Sequence, residues 1–219
     1  MENKLIIKTA LDVLKTEIIG IKKISKIIDN NFLNIIKKLS KTRGKVIFTG
    51  IGKSAHIAKK ISSTMSSTGT PSQFCHSTEM SHGDLGIISK NDIVIILSNS
   101  GNSVELEGVI NFCKKNKIST IGVSSVKNSN LINSTNMSLI IPAADEACAI
   151  GLAPTTSTSM TLIIGDIICV SLMRVKKFST KDYRDIHPGG SLGESLLPVS
   201  YTHLRAHETP EHLVCRLLL

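Results

Sequence analysis

The chain has 219 residues, is 41% hydrophobic but only 3% aromatic with no tryptophan, and carries a formal charge of +9. That length fits one α/β domain with a short appendage, whose core must be filled by Ile, Leu, Val and Ala. Lysines scattered over helix faces without interleaved aromatics argue against a nucleic-acid partner, and five widely spaced cysteines with no CxxC argue for a reducing, cytoplasmic setting.

Residues 4–40 repeat Leu and Ile at helical spacing, with a break at Asn30-Asn31, and predict two helices packed on the domain or on another subunit. No signal-peptide core precedes them. Arg43-Gly44-Lys45 turns into a strand, Val46–Thr49, and a helix follows from Lys53 to about Ser67. Thr68-Gly69-Thr70-Pro71 stops that helix, and Ser72–Cys75 is a short strand. A polar loop, His76 to Gly86, leads to strand Ile93–Leu97, then a helix from Ser103 to Asn116 and strand Ser119–Val123. A short helix near Ser129–Asn133 precedes strand Ser138–Ile141, and a loop from Pro142 to Pro154 precedes a helix over Thr155–Arg174. That last helix is apolar nearly all round, so it is expected to be buried, in the domain or at an interface. Asp166 interrupts its longest apolar run, so no membrane span is expected. The alternation predicts an α/β fold: a doubly wound parallel sheet of five strands flanked by helices, with the N-terminal helices packed on it. Residues 1–44 are read as those helices and 45–197 as the domain. Residues 198–219 continue no earlier pattern, resemble a translated sequencing-adapter read-through and are read as a non-native tail. Their His203, His207, His212 and Cys215 are set aside with them.

Two serine-bearing turns carry the first functional signal. Gly50-Ile51-Gly52-Lys53-Ser54 follows the first strand, and Ser98-Asn99-Ser100-Gly101-Asn102-Ser103 follows the third. Open α/β sheets bind ligands at the carboxyl ends of their strands, and helix N-termini attract phosphate. A P-loop would need glycine at Ile47, and a dinucleotide fold would need an acidic residue near Ser72–Cys75, so neither nucleotide motif is met. Lys53 opens a helix, a poor place for a cation unless a ligand needs it. Three serines exceed what a helix cap requires, which favours phosphate binding at Ser98, Ser100 and Ser103. Glu105 in the following turn suits either dipole compensation or catalysis. His76-x-x-Glu79-x-x-His82 lacks the HExxH spacing of helical zinc sites, so substrate contact outweighs an obligatory metal. His187-Pro188-Gly189-Gly190 is a rigid turn in which the histidine has little core to fill.

Seven ordered motifs over residues 10–197 resemble the arabinose 5-phosphate isomerases of the sugar isomerase (SIS) superfamily. They are Gly50-x-Gly52-Lys53-Ser54, Ser67-Thr68-Gly69-Thr70-Pro71, His82-Gly83-Asp84-Leu85-Gly86, Ser98-Asn99-Ser100-Gly101, Glu146-Ala147-Cys148, Gly151-Leu152-Ala153-Pro154-Thr155 and His187-Pro188-Gly189-Gly190-x-Leu192-Gly193. The resemblance implies an aldose–ketose isomerase that interconverts ribulose 5-phosphate and arabinose 5-phosphate through an enediolate, for the Kdo sugar of lipopolysaccharide or capsule. It implies Lys53, Glu105, Glu146 and His187 as catalytic residues. Lys53 would steady the enediolate, Glu146 or His187 would be the base, and Glu105 would orient Lys53 or the histidine. Ser98, Ser100 and Ser103 would anchor the phosphate, with Gly69 and Thr70 nearby. His76 and His82 would touch the sugar, and His76 would also be the place where zinc, an inhibitor and not a required cofactor, is trapped. A homotetramer is implied, because the histidine turn often reaches a neighbouring subunit. Two departures stand out: Asn102 replaces the glutamate common after Ser-Asn-Ser-Gly, and the CBS pair of many members does not follow. The rival functions are an isomerase of another phosphosugar and a non-catalytic phosphosugar sensor.

Overall fold

The computed structural model describes residues 2–188, so Gly189, Gly190 and the tail at 198–219 lie outside the described residues. Two units are distinguished, the first ending at Phe178 and the second beginning at Ser179.

The first unit opens with α1 (Glu2–Lys23), a 3-10 turn (Ile24–Ile27) and α2 (Asn30–Ser40). Asp29 caps α2 by accepting a hydrogen bond from the Phe32 N–H at 3.0 Å, which satisfies one of the free donors at the helix start. Phe32, Ile35, Ile36 and Leu39 recur at three- and four-residue spacing, and all four are buried. Only Gly20 is buried in α1.

The sheet follows as β1 (Val46–Gly50), α3 (Gly52–Ser67), β2 (Ser72–Phe74), α4 (Ser77–Met80), β3 (Ile93–Leu97), α5 (Glu107–Lys115), β4 (Ser119–Ser124), α6 (Asn130–Ser134) and β5 (Met137–Ile140). Helix α7 (Thr156–Val175) closes the unit. All pairings are parallel, in the order β2-β1-β3-β4-β5, with Val46 opposite Ile93 and Gly50 opposite Leu97. The chain leaves β1 toward one side for β2 and toward the other for β3. The topological switch point therefore lies between β1 and β3, where such sheets form their ligand crevice.

Strand alternation feeds two core layers. Val46, Phe48, Ile93 and Ile95 point to the side of α2, α3 and α7, among Ile35, Leu39, Ile61, Met65 and Ile164. Ile47, Val94 and Ile96 point the other way, among Met80, Leu106, Val109 and Cys113. Helices α3 and α7 pack closely where α7 has no side chain: a Cβ at Gly165 would run into Ile61.

Four expectations are corrected. The polar loop contains α4, with His76 at its N-cap. The helix expected from Ser103 is split, a 3-10 turn (Val104–Leu106) preceding α5. Helix α7 is not buried all round: Thr156, Met160, Ile164, Ile168 and Leu172 face the core, whereas Val170 is 60% exposed. By length and composition α7 does reach what a membrane span needs, contrary to the sequence reading, but its buried face belongs to the domain core and its Asp166 pairs with Lys60 of α3.

The second unit holds α8 (Thr180–Asp185), begun by a capping box in which Ser179 and Asp182 bond each other's backbone. His187 follows it, stacked on Tyr183 with ring centroids 3.9 Å apart and with Nδ1 2.8 Å from the Tyr183 carbonyl.

Candidate active site

A cleft of about 270 Å³ opens at the switch point. Its floor and one wall come from the β1–α3 turn and the start of α3 (Ile51, Lys53, Ser54, Ile57), a second wall from the turn after β3 (Ser98, Asn99, Ser100, Ser103), and a third from the start of α7 (Pro154, Ser157, Thr158, Thr161). Gly52 sits at φ +56°, a conformation that favours glycine and lets β1 turn sharply into α3.

The turn after β3 is shaped by its own hydrogen bonds. The buried Ser98 Oγ accepts from the Gly101 N–H at 3.0 Å and lies 3.5 Å from Ser103 Oγ. Gly101 adopts φ +66° against Ser124 and Ser129, where a Cβ would collide with both hydroxyls. Ser103 occupies the N-cap of the following turn yet makes no capping bond. Among the described residues its hydroxyl meets only Ser98 Oγ. Lys53 stands in the first turn of α3 and forms no ion pair among the described residues. A cation there is set against the positive end of the helix dipole, which a bound anion would offset.

Glu146 is held by the α7 N-terminus, behind the wall that Ser157 gives the cleft. Its Oε2 accepts from the Thr155 N–H at 2.7 Å, Thr155 Oγ1 at 3.1 Å and the Ser157 N–H at 3.2 Å. Burial pushes this carboxyl up, but the hydrogen bonds from Ser157 and Thr155 outweigh burial and hold it below the ordinary carboxylate range. All three bonds fall on one oxygen, and Oε1 has no hydrogen-bond partner among the described residues. Ser157 Oγ lies buried in the cleft wall beside the same carboxylate.

The remaining sequence candidates are dispersed. Glu105 lies on the 3-10 turn after the serines, and no hydrogen bond or ion pair joins it to Lys53 among the described residues, so the expected orienting contact is not made within this unit. Gly69 and Thr70 are not near the serine turn. Helix α3 carries the chain back across the sheet, and the next residue, Pro71, accepts from the Val46 N–H at the amino end of β1. There Thr70 Oγ1 accepts from Lys176 Nζ at 2.8 Å, and Gly69, at φ +86°, packs under the Phe178 ring. His76 accepts at Nδ1 from the Thr78 N–H at 3.3 Å, capping α4. His82 is exposed beyond that helix. No group of three His, Cys, Asp or Glu able to hold a metal occurs among the described residues, so the surroundings of His76 do not fit a zinc site built by one chain. His187 belongs to the second unit, as described above.

Sequence reasoning placed Lys53, Ser98, Ser100 and Ser103 in one site, and they do share the cleft. It missed the α7 wall, although the run Thr155-Thr156-Ser157-Thr158-Ser159 at a helix start was a readable signal. Hydroxyl-lined, with a lysine that forms no ion pair among the described residues, the cleft can hold a small anionic ligand and stabilise negative charge on it.

Comparison with known proteins fits this geometry. The SIS domain family matches residues 38–171. The arabinose 5-phosphate isomerase KdsD of Francisella tularensis is 41% identical over 194 residues, covering 87% of this chain and 59% of that protein. KdsD of Yersinia pestis is 43% identical over 185 residues, 84% of this chain and 56% of the relative. The chain thus spans little more than half the length of the curated relatives it matches. Among solved structures, c3406 of E. coli CFT073 in complex with arabinose 5-phosphate superposes with a TM-score of 0.81 at 38% identity, covering 86% of this chain and all of that one. The chain belongs to the SIS domain family.

Proposed function

We propose that the chain is an aldose–ketose isomerase interconverting D-ribulose 5-phosphate and D-arabinose 5-phosphate, and so serves Kdo synthesis for lipopolysaccharide or capsule. One observation carries the reading: unpaired Lys53 and the hydroxyls of Ser98, Ser100 and Ser103 line a single cleft at the switch point. The names of the KdsD relatives and the arabinose 5-phosphate bound to c3406 supply the substrate.

The geometry suggests a division of labour. The serine turn holds the 5-phosphate, with N–H groups and hydroxyls directed at its oxygens. That anchor places C1 and C2 toward Lys53, whose fixed charge offsets the oxyanion of the enediolate. A base then moves one proton between C1 and C2 while a second passes between the two oxygens. Glu146 suits that task through its open Oε1, because three donors fix Oε2 and keep the group ionised. His187 is the alternative base, since an imidazole can both accept and return a proton. In this reading the enzyme is a cytoplasmic homotetramer that needs no cofactor.

The test is to incubate the purified protein with ribulose 5-phosphate and EDTA and to follow arabinose 5-phosphate. Failure to form it, while another phosphosugar is isomerised or none is, would overturn the assignment. Glu146→Gln and His187→Ala then identify the base. The variant that loses about 1,000-fold in kcat without a matching change in KM marks it.

A further inference from the structure

The first hydrogen-bond donors of α6 are met from the serine turn. A helix opens with N–H groups that have no partner inside it. In α6 the Ile132 N–H goes to the Oγ of Ser129, its N-cap, at 3.5 Å. The two before it are taken by the turn after β3. The Leu131 N–H donates to the Gly101 carbonyl and the Asn130 N–H to Asn102 Oδ1, each at 2.9 Å. The other end of the turn is tied as well: the Asn99 carbonyl accepts from the Ser125 N–H at 3.1 Å and from Ser124 Oγ at 3.0 Å. Ser100 lies between these fastenings, and Ser103 directly follows them. Asn102 itself does not line the cleft, whereas Asn99, Ser100 and Ser103 on either side of it do.

We infer that Asn102 is a positioning residue for phosphate: by capping α6 from a distance, its amide holds Ser100 and Ser103 where they bind the anion. The inference rests on the phosphate anchor in the proposed function and names what sets the shape of that anchor. Of the two bonds to α6, one uses a backbone carbonyl that any residue would supply, and the other depends on the Asn102 side chain. Without that side chain the turn keeps its hydroxyls but gains freedom that a bound phosphate must then remove, and affinity falls accordingly.

Asn102→Ala and Asn130→Pro test this from the two ends of the bond. The second deletes the donor without touching the turn. Asn130 is the first residue of α6, where proline is well tolerated, and Ser129 before it is extended at φ −71° and ψ 159°, as the residue before a proline prefers. Equilibrium dialysis with radiolabelled inorganic phosphate reads the affinity, and circular dichroism reads the fold. Each variant should bind phosphate about fivefold more weakly. The double variant should also be weakened about fivefold, not by the product of the two, because both changes remove one bond. In the isomerase assay the same variants should raise KM by a like factor and leave kcat within about twofold. A folded Asn130→Pro variant that binds phosphate as the wild type does overturns the inference, as does a double variant weakened by the product of the single effects. A fall in kcat at unchanged KM would place Asn102 in the chemistry and overturns it too. Should one single variant fail to fold, the other decides. Phosphate binding that the variants weaken, in a protein that does not isomerise ribulose 5-phosphate, keeps the inference and fails the substrate. A wild type that binds no phosphate fails both.

Discussion

The two ends of the sheet treat polar groups in opposite ways. At the amino end the buried polar side chains Asp92, Thr70 and Thr120 are all engaged. The buried Asp92 accepts from the Lys45 N–H and the Ser89 N–H at 2.8 Å each and pairs with Lys45 Nζ at 2.9 Å. Beside β2, Lys176 bonds Thr70, and Phe178 covers Gly69. At the carboxyl end, the Ser103 hydroxyl caps nothing and Lys53 forms no ion pair among the described residues. Closed networks hold a fold, and open ones await a ligand. A parallel sheet segregates the two because every strand delivers its following loop to the same end.

The contrast can be broken most sharply at Lys53. Lys53→Ala should cut kcat/KM for isomerisation by about 1,000-fold, while thermal unfolding stays close to wild type. A comparable fall in stability would place Lys53 in the fold instead. The counterpart is Asp92→Ala, which leaves Lys45 and two N–H groups unpaired. It should lower unfolding free energy by about 3 kcal/mol with KM unchanged, as read by urea denaturation and steady-state kinetics. Asp92 also predicts a pH effect. Burial pushes its carboxyl up, but hydrogen bonds from Lys45 and the Ser89 backbone, together with the charge of Lys45, bring it below its ordinary value. The unfolded chain then binds the proton more readily, so this stabilisation is complete above the ordinary aspartate range and is lost as pH falls through the lowered value. Acid titration of stability should show that loss in wild type and not in Asp92→Asn. The smallest effect expected is from Gly69→Ala, which forces a side chain into a left-handed backbone against Phe178. It should cost about 2 kcal/mol by thermal denaturation and leave the proton-transfer step alone. A selective loss of kcat would instead tie Gly69 to the chemistry.

Much of this arrangement was legible beforehand, for local reasons. The runs Val46–Thr49 and Ile93–Leu97 are uninterrupted and β-branched because both faces of those strands are buried, and the turns after them carry the residues that meet in the cleft. Helix α4 went unread because four residues are too few to show a period. Periodicity marked α1 as a helix but could not tell a packed stripe from an exposed one, since the two have the same composition. The misplacement of Gly69 and Thr70 was avoidable. Residues just before a strand in a right-handed crossover must lie at its amino end, whatever motif they belong to. The third wall of the cleft arrives about a hundred residues after the first, and only the assembled sheet shows that α3 and α7 are neighbours.

That neighbourhood has a consequence for what the protein can accommodate. Lys53 and Ile57 on α3 face Ser157 and Thr161 on α7 across the opening. Gly165, one turn beyond Thr161, lets the two helices touch through Ile61. The absent side chain therefore works as a caliper. It sets the aperture between two rigid rods, and through the aperture the girth of ligand that fits. A change of ligand size would need no new contact in the cleft, only a methyl group at a position that no substrate ever reaches.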